Sequence, residues 1–223
     1  NAENLRRTAL SDFNAQRYHD PRACELQMVM HLAQAATLAH GSGDEGERAL
    51  QVIATTTGRL LPAAELYYLS AKAFHGPGAM HPDRMRDRPS VVRQLERVAT
   101  LADANRELRQ GWATLPEQIR QDLTGAGVDA ALTEAIVREV QDGLRLSARP
   151  LFHDTYGRYC DSIVAILNHL DGYWGKWRFN EQFNKIEFEG QNAFENYEML
   201  RKNAESIGRT LLERANDVYA GPV

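Results

Sequence analysis

The densest group of chemistry-bearing side chains is His153-Asp154, followed at helical intervals by Arg158, Asp161 and His169. An imidazole and a carboxylate can share a divalent cation, and a cation held that way activates a bound water for attack on a phosphate ester. The same residues have a plainer use. Asp154 near a helix start favours the positive end of the helix dipole, and Arg158 stands one turn further on, in reach of an ion pair. His153, Asp154, Arg158 and Asp161 are the candidate catalytic residues on the first reading and a solvated helix face on the second. The second carries more weight. His75 and His81, with Asp83 and Asp87, form another set of metal-binding residue types. Neither group has the two- or three-residue ligand spacing of a committed metal site. The expectation is no metal and no cofactor, with His153, Asp154, His75 and His81 as candidate ligands should an ion bind.

A His-Asp dipeptide on a helix resembles one element of the metal-dependent HD phosphohydrolases. That resemblance implies a cation on His153 and Asp154 and hydrolysis of phosphate esters or nucleotides. The family's upstream histidine and downstream aspartate would fall to His31 and Asp171, at loose spacing, and a second dipeptide, His19-Asp20, shows how readily the pair arises. Trp177-Arg178-Phe179-Asn180-Glu181 fits Trp-x-x-x-Glu, a signature of bacterial effectors that act as helical guanine-nucleotide exchange factors. There a later loop acts on the GTPase. Here the pentapeptide falls in an expected hairpin and follows Gly125-Ala126-Gly127, the reverse order, so the chain is not placed in that family.

Other reaction types find little. Gly125-Ala126-Gly127 lacks the third glycine and preceding strand of a dinucleotide loop, and neither a P-loop nor a Gly-x-Ser-x-Gly elbow occurs. Cys24 and His31 lie nearly two turns apart, with no visible activator of the thiol. The loop arginines Arg84, Arg86 and Arg88 interleave with Asp83 and Asp87, so charge nearly cancels, which disfavours a phosphate or RNA site.

These residues need elements to hold them, and the pattern is helical. Ala193, Tyr197, Leu200, Ala204, Ile207 and Leu211 alternate in steps of four and three, a stripe with a repeat of about 3.5 residues on a helix from Gln191 to Val218. Such a helix is about 40 Å long. The stripe needs a partner: the helix His153–Leu170, with Tyr156, Cys160, Ile163, Leu167 and Leu170 inward, or a second copy, which leaves a homo-oligomer through residues 193–218 open. Between the two helices, Trp177 and Phe179 alternate with Lys176 and Arg178, and Ile186 and Phe188 with Lys185, Glu187 and Glu189. That period of two around an Asn-containing turn predicts a small β-hairpin near residues 176–189.

Upstream, helices are expected over Glu3–Gln16, Pro21–His40, Glu45–Thr57 (capped by Asp44) and Pro62–Phe74. A loop follows from His75 to Pro89, with three prolines and two glycines. Ser90–Gln110 reads as a helix, and Thr114-Leu115-Pro116-Glu117 as a capping-box start of a separate short helix ending near Gly125. Asp129 caps Ala130–Gln141. The fold class is therefore all-α, a multi-helix bundle with one small hairpin. The domain reading is an N-terminal helical half over 1–74, the loop 75–89 and a C-terminal helical half over 90–223, or else one domain over 1–223.

At 223 residues, 43% hydrophobic and 25% charged, the chain can bury a real core. A net charge of −4 argues against a protein built to neutralise phosphate, so no nucleic-acid partner is expected. No apolar run approaches the roughly eighteen residues that span a bilayer. Two cysteines, Cys24 and Cys160, are too few for a disulfide framework and favour a reducing, cytoplasmic setting, with a secreted effector as the other reading. The Arg- and Ala-rich composition points to a bacterial source. The function expected is a helical protein-protein interaction module with no evident catalytic site, binding a protein partner through Trp174, Trp177, Arg178 and Phe179, because aromatic residues and arginine supply most binding hot spots. The alternatives are a metal-dependent phosphohydrolase on His153 and Asp154, and a secreted bacterial effector or toxin-immunity partner.

Overall fold

Asp87 marks the start of the element around which the helices gather. In the computed structural model its carboxylate accepts the Ser90 backbone N–H at 2.7 Å, and Pro89 sits where a missing N–H costs nothing. The described residues are Val29, 45–75 (His75 by backbone only), Met85, 87–180, 182–183 and 185–219. The helices expected over Glu3–Gln16 and Pro21–His40, and the Asp44 cap, lie outside them, apart from Val29, which is helical and buried.

Helix α1 spans Glu45–Gly58 and α2 Leu61–His75, joined by a tight turn in which Arg59 N–H donates to Thr56 O and Leu60 N–H to Thr57 O. Ala64, Tyr67, Ala71 and Phe74 form the inward stripe of α2, all without exposed surface. Helix α3 runs from Arg88 to Gly125, 38 residues or about 57 Å. Helix α4 covers Ala130–Gly143, with Asp129 accepting from the N–H groups of Ala131 and Leu132 as expected. Helix α5 is Arg149–Gly172. Strands β1 (Trp177–Asn180) and β2 (Lys185–Phe188) precede α6, Gln191–Tyr219. The described residues form a helical bundle with one small hairpin.

Two boundaries differ from expectation by a turn or more. Helix α5 begins at Arg149, ahead of His153, so Asp154 stands past the first turn and away from the helix's positive end. The break at Thr114–Pro116 does not exist: α3 passes straight through Pro116. A proline inside a helix removes one backbone bond and crowds the carbonyl one turn back, at a cost of about 3 kcal/mol. The offset is legible in the packing. Leu108, Trp112, Leu115, Ile119 and Leu123 continue one stripe across the proline, all without exposed surface. Ending the helix at Thr114 would break that stripe, and burying a single large apolar side chain is worth about 1.5–3 kcal/mol. Thr114 is no cap; its hydroxyl donates back to the carbonyls of Gln110 and Gly111.

The Gly125-Ala126-Gly127 run terminates α3. Gly127 takes φ +75°, and the N–H groups of Gly127 and Val128 return to Thr124 O and Leu123 O. Gly111 has a different task, since a β-carbon there would lie 2.5 Å from Leu60 Cδ2: its absence lets the α1–α2 turn close on α3.

Helix α3 packs against α1, α2, α4 and α5, and α5 lies between α3 and α6. The seam of α6 faces α5 as expected, with Ala193, Ala204, Ala215 and Val218 buried and Tyr197, Leu200, Ile207 and Leu211 half-buried. The hairpin is antiparallel with Trp177 opposite Phe188 and Phe179 opposite Ile186. Those four form its inner face, over the core; Arg178, Asn180, Lys185 and Glu187 form the outer one.

Candidate functional site

Helix α5 carries the His-Asp group, and its pitch separates the two side chains. His153 is wholly buried, facing α3. Its Nδ1 stands 2.8 Å from Asn105 Oδ1, and Asn105 Nδ2 donates to the His153 carbonyl at 2.8 Å, a reciprocal pair across the α3–α5 contact. The rings of Tyr67 and Phe152 meet the imidazole edge-on at 5.5 and 5.1 Å. Burial, aided by the nearby Arg149 and Arg109 charges, pushes its pKa down to about 3, so the ring is neutral at ordinary pH. Bonded to an amide oxygen, a neutral imidazole carries its proton on Nδ1.

Asp154, next in sequence, points to solvent. It pairs with Arg109 of α3, Nε to Oδ1 at 2.5 Å and Nη2 to Oδ2 at 3.1 Å. The ion pair expected with Arg158 is replaced by this longer-range one, and Arg158 donates instead to Thr155 Oγ1 at 3.3 Å. Asp161 is exposed. His169 turns toward the hairpin: its Nε2 lies 2.8 Å from the Ala193 carbonyl, and its ring packs on Tyr173 and Phe188. Asp171, nominated as a downstream ligand, accepts both Nε and Nη2 of Arg88, which holds its carboxyl below the usual range. One candidate is thus in the core, three (Asp154, Arg158 and Asp161) lie on the solvated face, and the two on the last turn tie other elements to α5. Among the described residues no group of three His, Cys, Asp or Glu is placed to hold a metal ion. His31, His81, Cys24 and the side chain of His75 lie outside the described residues. Cys160 is buried, and burial with the nearby Asp161 charge pushes its thiol up to about 12, the condition of an inert core cysteine.

The hairpin residues do converge. Trp177 Nε1 donates to the Leu170 carbonyl at 2.9 Å, fixing the indole on the end of α5, and Trp174 meets it edge-on at 5.4 Å. Both indoles and Phe179 are half-buried, packed against the core yet still reaching the surface. Arg178 lies 80% exposed on the outer face. Its Nε and Nη2 donate to Glu187 Oε2 at 3.1 and 3.0 Å, and Asn180 Nδ2 donates to Oε1 at 2.8 Å. Those bonds hold the Glu187 carboxyl below its ordinary range. Sequence reasoning passed over Phe183, an aromatic residue in an otherwise polar turn. It is 62% exposed, with Lys185 Nζ 5.4 Å from its ring centre. Just beyond, Phe194 and Met199 help line a shallow groove on the outward face of α6, with Glu195, Glu198 and Lys202.

No family model matches the chain, and neither curated proteins nor solved structures yield a significant match. Among the described residues no helix is long and apolar enough to cross a membrane.

Proposed function

We propose that the chain is a protein-interaction module that presents its hairpin, Trp174 to Phe188, to a protein partner. The observation that carries the reading is the division of labour across the hairpin. Its inner face is clamped to the end of α5 by the Trp177 hydrogen bond, while Phe183 and Arg178 stand out from the opposite end and face. A rigid aromatic and arginine display loses little conformational freedom on binding, and such residues dominate interface energetics. An exposed phenylalanine at a turn has no packing role of its own.

The test is binding of the purified chain to a partner captured from its source cells. Phe183→Ser and Arg178→Glu leave the fold intact and weaken the complex at least tenfold, whereas Leu132→Ser, on α4, does not. Equal binding by all four proteins overturns the reading. So does a Trp177→Ala variant as unstable as Trp112→Ala, a fully buried cut expected to cost about 3–5 kcal/mol, because it would make the hairpin aromatics core residues alone.

A further inference from the structure

Helix α6 spends its seam on α5, yet its flank carries a second pattern. Phe194, Arg201, Glu205 and Leu212 follow one another at intervals of seven, four and seven residues. At about 3.6 residues per turn, Phe194 and Leu212 are five whole turns apart and on one line, with the two charges about 20° either side of it. Phe194 is 37% exposed and Leu212 67%. The Arg201 and Glu205 side chains are 41% and 55% exposed.

The spacing reads the same in both directions, but the charges do not. Read forward the line is apolar, cation, anion, apolar; reversed, it is apolar, anion, cation, apolar. A twofold axis therefore sets apolar on apolar and each charge on its opposite. We propose that this line is an isologous contact with a second copy of the chain, the two α6 helices antiparallel. Phe194 of each copy lies on Leu212 of the other, and Arg201 of each on Glu205 of the other. Arg201 is already held within its own helix by Glu198, at 2.9 Å, and by Glu205, so the contact extends an ordered network and immobilises little that was free. Four principal side chains per copy are few beside the roughly 20–30 residues a side of a standard interface, so the dimer is weak and concentration-dependent.

Sedimentation equilibrium on the 223-residue chain, up to about 1 mM, covers the range in which such an association registers. Expected is a monomer–dimer equilibrium that Leu212→Glu abolishes and Arg201→Glu weakens at least tenfold, each with unchanged far-UV circular dichroism. The double variant Arg201→Glu, Glu205→Arg associates more tightly than Arg201→Glu alone, because exchanging both charges restores their match across the twofold axis, although the ordering by Glu198 is lost. A wild-type chain monomeric throughout overturns the proposal. So does dimerisation indifferent to Leu212→Glu, or a double variant no better than the single one.

Discussion

His153 sits in the core without charge because an amide, that of Asn105, meets both its ring and its carbonyl, and the ring is closed off from water. Its pKa falls from 6.5 to about 3 on folding, so between those values the unfolded chain binds the proton and the folded chain does not. Its contribution is complete above about pH 6.5 and is lost as pH falls toward 3, with a limiting slope of about 1.4 kcal/mol per unit. Urea midpoints for wild type and His153→Gln, taken from pH 7 to pH 4, should converge on acidification, since glutamine can still face Asn105 but takes up no proton. Parallel curves would show that the imidazole is reached by water or already paired with a charge. At this scale the sequence was legible only in part. His153 and Asp154 were visible as a pair, but their separation was not: it depends on Asn105 and Arg109, more than forty positions away on α3, and no local spacing reports a partner that distant.

Helix α3 shows the same limit in the other direction. Local chemistry at Thr114–Glu117 matches a helix start, and a reader of short windows ends one helix and begins another there. What keeps the helix whole is non-local, because Leu108, Trp112, Leu115 and Ile119 all need burial by neighbours that the window does not contain. The proline is therefore carried as a cost. Pro116→Ala restores an amide able to bond the Trp112 carbonyl and removes the ring's crowding. Against that, alanine gives the unfolded chain more freedom, worth about 0.4–1 kcal/mol. The variant should gain about 1–2 kcal/mol in denaturant unfolding, the interior-proline penalty less that loss and local relaxation. A destabilised variant would mean that α3 needs a weakened turn at this point. The elements read correctly from sequence are those whose signals are local and repeated: the cap Asp129 sits next to what it caps, the stripe of α6 recurs over seven turns, and the hairpin alternates on both strands.

At the scale of the molecule the question is whether the stretch around residues 75–89 divides the chain into two folding units. We propose one, from the packing of the described residues. A single cluster of buried apolar side chains runs from Val29 through α1 and α2 to Tyr219 at the end of α6. Helices α1 and α2 bury their inward stripes on α3, which also buries α5, so the two halves share one core through α3. Polar ties cross the same boundary: Asp122 of α3 accepts the Thr56 hydroxyl at 2.5 Å and pairs with Arg59 at 3.0 Å, and Glu45 accepts the Asp129 backbone N–H at 2.7 Å. Elements that share a core unfold together, since exposing one strips apolar surface from the other. Native-state hydrogen exchange in rising urea should therefore release the amides of residues 45–74 and of α5 with the same free energy. Release of 45–74 at lower denaturant, with α3, α5 and α6 still protected, would make them a separate unit. The centre of this fold would then be the α3–α5–α6 layer, with the first two helices as a dispensable cover.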